Sequence, residues 1–190
     1  MQCLLLAAVA AVVLATLVYR SPTLSAVVNG ISAIGLTIPA FALIGLLIAP
    51  LGFGVGPAVI VVAFFAALPI LRNAVVGLTG IDQSLVEAAR GIGMGRIRTL
   101  VRVELPLAWP VILTGIRVSA QMVMGIAAIT AYALGPGLGG LIFSGLSRLG
   151  GANSFESVAI GVVCVILLAF VLDLLLVGLG RLTTPRGIRV

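Results

Sequence analysis

Two charged side chains lie inside apolar stretches of the chain, where an unpaired charge is costly. Arg117 lies eight residues after Trp109, and Asp173 lies eight residues before Arg181. At about 1.5 Å of rise per residue, Arg117 is about 12 Å from the helix end marked by Trp109, and Asp173 is about 12 Å from the helix end marked by Arg181. The shared depth predicts an ion pair between two helices, with Gln121 one turn beyond Arg117 on the same face. Such a pair either stabilises helix packing or belongs to a gate or solute pathway, and the sequence leaves both roles open.

The residues on which most enzymes and metal sites depend are absent or wrongly spaced. The chain has no histidine and no lysine, and the patterns H-E-x-x-H and G-x-S-x-G do not occur in it. The glycine runs at Gly135–Gly140 and Gly91–Gly95 lack the lysine of a phosphate-binding loop and the spacing of a dinucleotide-binding fold. We therefore predict no catalytic residue, no metal site and no cofactor on this chain. The first of these runs is expected to pack helices closely or to meet another protein.

The secondary structure that carries these residues follows from the composition. Of the 190 residues, 62% are hydrophobic and 8% are charged, against about 25% charged in a soluble domain. Long apolar runs without alternation favour helices, which satisfy their own backbone hydrogen bonds in lipid. The sequence predicts an all-α integral membrane protein with a single transmembrane domain over residues 1–190.

Five apolar stretches approach the length of a bilayer crossing, which takes about 20 residues. They are Gln2–Val18, Val27–Ile48, Gly56–Leu71 with an extension toward Leu78, Trp109–Leu134 and Phe155–Gly180. The first is at the lower limit of length, and without a basic start or an A-x-A site at its end it predicts a short or clipped span rather than a signal peptide. Pro39 and Pro69 are expected to kink the second and third spans. Pro106 and Pro110 are expected to break the helix before the fourth.

Almost all arginines outside the spans fall on one side of a five-span arrangement, which predicts its orientation. Only Arg148 lies on the other side, so the N-terminus is expected outside and the C-terminus in the cytoplasm. The same partition argues against nucleic acid as the partner that the net charge of +6 would otherwise suggest. The arginines on the cytoplasmic side are Arg20, Arg72, Arg90, Arg96, Arg98, Arg102, Arg181, Arg186 and Arg189.

The longest cytoplasmic connection, about residues 79–106, begins with a short helix rich in small residues. Ser84 and Glu87 have the spacing of a capping box, and Asp82 is the alternative cap. The glycines of the Gly91–Gly95 run should end this helix, and an amphipathic stretch follows. A short exposed helix of this kind suits a groove on a partner protein, although an ordinary interfacial linker has the same pattern.

This segment resembles the EAA motif of binding-protein-dependent ABC permeases, written E-A-A-x3-G-x9-hydrophobic-x-L-P. Every anchor is present, with a valine at the hydrophobic position where isoleucine is commoner. In that family the motif helix docks into a groove on the ATPase subunit and transmits its closure to the transmembrane helices. The resemblance thus implies a coupling segment whose contact residues are Glu87, Ala88, Ala89, Arg90, Gly93, Met94, Val103, Leu105 and Pro106.

Much of the remaining chain is similar to osmoprotectant permeases for glycine betaine, choline and carnitine. The similarity lies in the runs Leu36–Ile60, Ala67–Asp82, Ala133–Ser147 and Leu182–Gly187. It implies a permease like those of type I ABC importers, in a bacterial plasma membrane, that carries quaternary ammonium osmolytes. Amino acids are the alternative cargo, because amino-acid permeases share parts of these runs. A channel that works without ATP is a more distant alternative, since it leaves the EAA pattern as a coincidence.

The resemblance also implies partners. Two transmembrane subunits enclose one pathway, so this chain is expected to act as a homodimer or beside a paralogue. ATP and magnesium belong on separate ATPase subunits, and an extracytoplasmic binding protein delivers the solute. Quaternary ammonium groups are held by aromatic cages. Because the chain has only seven Phe, two Tyr and one Trp, we expect that cage on the binding protein.

Overall fold

A computed structural model describes residues 2–133, 137–151 and 153–183. Within these ranges the chain is helical and has no strand, in agreement with the all-α prediction. A π-helical turn at Leu100–Glu104 precedes the α-helix Leu105–Thr130, and a 3-10 turn at Ala131–Ala133 follows it. The α-helices are α1 (Gln2–Val18), α2 (Pro22–Thr37), α3 (Ala40–Leu51), α4 (Val55–Thr79), α5 (Gln83–Gly91), α6 (Arg96–Thr99), α7 (Leu105–Thr130), α8 (Gly139–Leu146) and α9 (Ser154–Thr183).

Three helical segments of the described residues are long and apolar enough to cross a membrane: Val55–Thr79, Arg96–Ala133 and Ser154–Thr183. The pair α2 and α3 makes a fourth if it is counted as one bent span. α1 coincides with the first predicted stretch, but its 17 residues make it shorter than these segments. The five-span count therefore stays a prediction, and it requires that both α1 and the bent pair cross.

α2 and α3 meet at a bend of 88°. Ile38, with ψ of 125°, and Pro39, with ψ of 122°, are both extended. Proline lacks a backbone N–H and forces the preceding residue out of the helical region, which explains why the break falls here. The predicted second span, Val27–Ile48, is thus corrected from one kinked helix to two separate helices. α4, by contrast, is a single helix that contains Pro69.

α4 is the centre of the bundle, and α7 approaches it closely. A Cβ added at Gly115 of α7 would lie 2.6 Å from the Cβ of Asn73 and 3.0 Å from the carbonyl oxygen of Pro69. One turn further along α7, the hydroxyl of the fully buried Ser119 donates to the carbonyl of Ala66 over 2.7 Å. Glycine and serine at a helix contact let two backbones come close, which is the usual basis of helix association in lipid.

α1 packs against α4 through a stripe of small side chains. Ala7, Ala11 and Ala15 are buried and recur every four residues, so they lie on one face of the helix. Leu5, Leu6 and other large apolar residues point away from the chain. The distribution is that of a helix with one face on protein and one on lipid.

One end of the bundle gathers the last residues of α1 and α9 beside the start of α7. The hydroxyl of Tyr19, just after α1, donates to the carboxylate of Glu104 in the π-helical turn. The indole Nε1 of Trp109 in α7 donates to Oγ1 of Thr183, the last residue of α9, over 2.8 Å. The coupling segment leads into α7 at this same end.

The opposite end of the bundle is built from the loops and α8. The N–H of Gly54 donates to the carbonyl of Ala133 over 2.8 Å. The hydroxyl of Ser154, the first residue of α9, donates to the carbonyl of Gly145 in α8 over 2.9 Å. α8 therefore lies at the start of α9.

The positions of three arginines agree with the predicted partition. Arg20 and Arg181 lie at the end that holds the coupling segment, and Arg148, which follows α8, lies at the other. The predictions that rest on Arg186, Arg189, Gly135 and Pro136 concern positions outside the described residues.

Candidate functional site

The coupling segment begins with a capped helix, α5. The carboxylate of Asp82 accepts a hydrogen bond from the backbone N–H of Ser84 over 2.9 Å, and Asp82 has the extended backbone of an N-cap residue. Of the two caps that the sequence leaves open, the structure therefore selects Asp82. The same hydrogen bond, which favours the ionised carboxylate, lowers the pKa of Asp82 below its ordinary value.

The C-terminus of α5 closes in a Schellman motif. The N–H of Gly93 donates to the carbonyl of Arg90 over 2.9 Å, and the N–H of Met94 donates to the carbonyl of Ala89 over 3.1 Å. Gly93 has a φ of +84°, the left-handed conformation that a side chain disfavours. Within the predicted Gly91–Gly95 run it is thus Gly93 that ends the helix.

The two faces of α5 have different environments. Val86 and Ala89 are buried against the chain, whereas Glu87, Ala88 and Arg90 are exposed. Ala89, which the resemblance assigns to the partner contact, is therefore an anchor of the helix in this structure. The exposed face carries Glu87 and Ala88 outward, whereas Arg90 lies on the side of Val86, four residues before it.

Large apolar side chains of the coupling segment are exposed among the described residues. Ile92 is 77% exposed and Ile97 is 79% exposed, and Leu85 and Val101 are also exposed. Arg96, Arg98 and Arg102 lie among them in sequence and are exposed too. An end of the bundle that shows both isoleucine and arginine side chains has the composition of a protein-binding surface.

The second half of the coupling segment runs without a break into α7. Arg96 to Ala133 forms one helical segment of 38 residues. The predicted break at Pro106 and Pro110 is therefore wrong. The π-helical turn explains why: the N–H of Leu105 donates to the carbonyl of Leu100, five residues back, so the helix continues in a shifted register past a proline that has no N–H. Val103, Leu105 and Pro106 are half-buried in this junction.

Glu104 is a residue of this junction that the motif does not mark. It is 2% exposed and accepts hydrogen bonds from the Tyr19 hydroxyl and, over 3.5 Å, from Nη2 of Arg20. Nε of Arg20 in turn donates to the Tyr19 hydroxyl over 2.6 Å. Burial and then the neighbouring Glu104 carboxylate raise the pKa of Tyr19 above its ordinary value. The cluster fastens the end of α1 to the coupling segment.

A cavity of about 310 Å³ separates this cluster from α5. Val86 and Arg90 line it from α5, and Tyr19, Arg20 and Glu104 line it from the other side. Sequence reasoning missed the cluster. One signal was available, namely an acidic residue between two apolar motif positions, on the same predicted side as the isolated Arg20.

The residues predicted to pair do meet, on a partly exposed face of the bundle where the side chain of Arg117 is 39% exposed and that of Asp173 is 22% exposed. Nε and Nη2 of Arg117 donate to Oδ1 and Oδ2 of Asp173, each over 3.0 Å, and Nε2 of Gln121 donates to Oδ1 of Asp173 over 3.1 Å. This two-pronged geometry is the strong form of an arginine–carboxylate contact. The pair joins α7 to α9, a helix with only Ser154, Gly161 and Leu172 buried among its described residues.

Comparisons with known proteins agree on one family. The sequence profile of the family described as "Binding-protein-dependent transport system inner membrane component" matches residues 5–184. Carnitine transport permease protein OpuCB of Listeria monocytogenes is 38% identical over 91% of this chain and 78% of its own length. Osmoprotectant import permease protein OsmW of Salmonella typhimurium is 41% identical over 97% of this chain and 86% of its own. Choline transport system permease protein OpuBB of Bacillus subtilis is 37% identical over 97% and 83%.

A solved structure has the same fold. A chain of the MetNI methionine ABC transporter, in an inward-facing conformation, matches with a TM-score of 0.77 and 21% identity over 97% of this chain and 92% of that one. At this level of identity the similarity concerns the arrangement of helices.

Proposed function

The chain belongs to the family of binding-protein-dependent transport system inner membrane components, and from this premise we propose that it carries quaternary ammonium osmolytes across the membrane. The observation that carries the proposal is the identity of 37–41%, over 91–97% of the chain, to permeases named for carnitine, osmoprotectants and choline. Permeases this similar over most of their length share a fold and a transport class, and glycine betaine, choline and carnitine are the cargoes that we assign to this chain.

The transporter that we envisage contains more than this chain. Two copies of the permease, or one copy and a paralogue, enclose the pathway. ATP is bound with magnesium and hydrolysed on separate ATPase subunits, and this chain holds no cofactor of its own. A binding protein outside the membrane selects and delivers the osmolyte. The large uncovered apolar face of α9, on which only three described residues are buried, leaves room for lipid or a second subunit.

Coupling starts at the exposed face of α5. In this proposal Glu87, Ala88 and Arg90 contact the ATPase subunit, while Asp82 and Gly93 hold the two ends of the helix. The uncovered isoleucines beside α5 contribute apolar area to the same contact. Closure of the ATPase dimer then displaces α5 and α6 as one body.

The displacement passes to the transmembrane helices through three direct connections. α6 continues into α7 through the π-helical turn, so a push on α6 moves α7 without a hinge loop between them. α7 moves α4 through the close contact at Gly115 and the Ser119 hydrogen bond. It moves α9 through Arg117 and Asp173, which gives this pair a part in gating as well as in packing.

We place the coupling end of the bundle in the cytoplasm. Arg20, Arg181 and the arginines of the coupling segment lie at that end, in accord with the positive-inside rule. With five crossings, the N-terminus is outside and the C-terminus is cytoplasmic, in the plasma membrane of a bacterium.

Amino acids are the alternative cargo, and uptake measurements separate the two. The permease is expressed with its neighbouring ATPase and binding protein in a host without osmolyte transporters, and radiolabelled glycine betaine, choline, carnitine and methionine are supplied in turn. Accumulation of a quaternary ammonium solute against its gradient, lost in a Gly93→Asp variant and kept in Gly91→Ala, is the expected result. Uptake of methionine alone would move the cargo to amino acids. Flux that needs no ATPase would contradict the coupling mechanism.

A further inference from the structure

Four aromatic side chains from four separate segments meet at the end of the bundle opposite the coupling segment. The ring of Tyr132, in the 3-10 turn, is their centre. Its centroid lies 5.0 Å from that of Phe41 in α3, 6.5 Å from that of Phe53 in the α3–α4 loop and 5.7 Å from that of Phe143 in α8. With only seven Phe and two Tyr in the chain, a gathering of three Phe and one Tyr at one place is a concentrated use of aromatic residues. We refer to these four residues as the aromatic cluster.

The aromatic cluster is open rather than buried. Phe53 is 61% exposed, Phe41 and Tyr132 are about half exposed, and Phe143 is half-buried. An aromatic group of a hydrophobic core would be covered by its neighbours, as Phe65 is in the interior of this chain. The cluster therefore has ring surface available to a ligand.

The backbone around the cluster fixes the position of Phe53. Gly52 has a φ of +74° and Gly54 a φ of +151°, so the residue is held between two glycines in conformations that other residues rarely adopt. The hydrogen bond from the N–H of Gly54 to the carbonyl of Ala133 then ties this loop to the 3-10 turn that carries Tyr132. The two rings are thus presented together by a connected piece of backbone.

The chemistry of the exposed rings favours a cation without hydrogen-bond donors. Each Phe ring is inclined by 52–57° to the ring of Tyr132, so the negative ring faces point in several directions around one place. A quaternary ammonium group within about 6 Å of such ring centroids is attracted through cation–π contacts. The hydroxyl of Tyr132 has no hydrogen-bond partner among the described residues and can serve a polar group of the same solute.

We propose that the aromatic cluster is a receiving site for the quaternary ammonium group of the transported solute at the mouth of the pathway. This inference rests on the proposed function, and it changes the expectation that the only aromatic cage belongs to the binding protein. The site has no fixed negative charge among its four residues, so it holds the cation weakly. Weak binding suits a site that must release its solute into the pathway.

The test is direct binding to the purified permease–ATPase complex in lipid, without the binding protein. Radiolabelled tetramethylammonium and choline are the probes, with 3,3-dimethylbutan-1-ol as the neutral counterpart of choline. Phe53→Leu and Tyr132→Leu should each weaken binding by about two- to fivefold, the range of one exposed cation–π contact. Tyr132→Phe should bind tetramethylammonium like the wild type, because it keeps the ring. Phe170→Leu is the matched control, since Phe170 on α9 is 61% exposed, as is Phe53.

The outcomes separate the inference from the proposed function. Selective weakening in the two Leu variants, without competition by the neutral alcohol, supports the receiving site. Wild-type binding in both Leu variants, equal weakening in Phe170→Leu, or no binding of either cation to the assembled wild-type complex overturns it. Uptake of quaternary ammonium solutes by the full transporter is measured in parallel. If uptake is intact while binding fails these criteria, only the receiving site is rejected; if the wild type takes up no such solute, the proposed function is rejected.

Discussion

The hydroxyl of Tyr19 donates a hydrogen bond to the carboxylate of Glu104, a residue 85 positions further along the chain. This contact links the first helix to the turn between the coupling segment and α7. α1 otherwise packs against α4 through a buried face that includes Ala7, Ala11 and Ala15. The polar contact therefore adds a side-chain hydrogen bond between α1 and the coupling segment to the apolar packing of α1.

Replacing Tyr19 with Phe should destabilise the assembled protein by about 1–3 kcal/mol, the usual effect of removing a hydrogen bond to a charged, buried partner. Glu104 is left with Arg20 alone, at 3.5 Å. Transport per ATP hydrolysed should fall as well, because α1 loses one of its two side-chain links to Glu104. Thermal unfolding and the ratio of uptake to ATP hydrolysis measure the two effects. Tyr132→Phe is the control for stability, since that hydroxyl has no partner among the described residues.

The Tyr19 contact also predicts a pH dependence. Burial and Glu104 raise the pKa of Tyr19 above 10.0, so the folded state favours the protonated hydroxyl. The stabilisation is then fully present below about pH 10 and is lost as the pH rises through the raised pKa. The difference in thermal stability between wild type and Tyr19→Phe should be constant through the neutral range and shrink in alkali. A difference that already disappears near neutral pH would contradict this assignment.

Gly93→Ala should impair coupling while Gly91→Ala is tolerated. The φ of Gly93 is +84°, where a side chain costs about 1–2 kcal/mol. Space is not the issue, because nothing lies within 4 Å of a Cβ added at either glycine. Gly93→Asn should be intermediate, since asparagine tolerates the left-handed conformation. Co-purification of the ATPase with each variant is the measurement, and equal loss in both alanine variants would contradict the role of the Schellman motif.

Reversing the charges of Arg117 and Asp173 tests their pairing. Arg117→Asp and Asp173→Arg should each reduce the amount of assembled protein in the membrane, because each places like charges in contact in a medium that solvates them poorly. The double variant should recover much of that loss. Gln121→Leu, which removes one hydrogen bond of the three to Asp173, should have the smallest effect. A double variant that assembles no better than either single one would count against the pair.

Gly115→Ala should destabilise the contact between α7 and α4 by about 1–3 kcal/mol, the range for overpacking an interior. The added Cβ would lie 3.0 Å from the carbonyl oxygen of Pro69, a backbone atom that cannot rotate away. Gly125→Ala on the same helix is the control, because nothing lies within 4 Å of its Cβ. Both variants are compared by thermal unfolding in the same detergent or lipid. If the two variants were equally stable, α7 and α4 would be able to move apart and admit the added Cβ without loss of stability.

The features that sequence reasoning predicted well depend on neighbours in the chain. Asp82 and Gly93 could be proposed as helix ends because capping involves residues a few positions apart. Arg117 and Asp173 could be paired because helical rise converts sequence spacing into depth.

The features that sequence reasoning missed are of two kinds. Some are contacts between segments far apart in the sequence, and one is a local backbone structure that replaces the expected helix break. No spacing rule joins Phe41 or Phe53 to Tyr132, since these rings meet only when the helices have packed. Tyr19 and Glu104 are a second case of the same kind. At Pro106 the rule that proline breaks a helix gave way to the π-helical turn, which keeps the helix continuous at the cost of its register.

The π-helical turn at Leu100–Glu104 sets the direction in which α5 and α6 point relative to α7. Each residue of an α-helix advances the chain by about 100° around its axis, and a π-helical turn contains one residue more than the α-helix would use. The wider π-helical turn absorbs that extra residue, so if the same residues wound as ordinary α-helix, α6 and α5 would swing by about 100° around the axis of α7. The surface on α5 would keep every one of its side chains and yet face away from its former partner. The π-helical turn thus contributes the rotational orientation of α5, in addition to the side chains of this stretch.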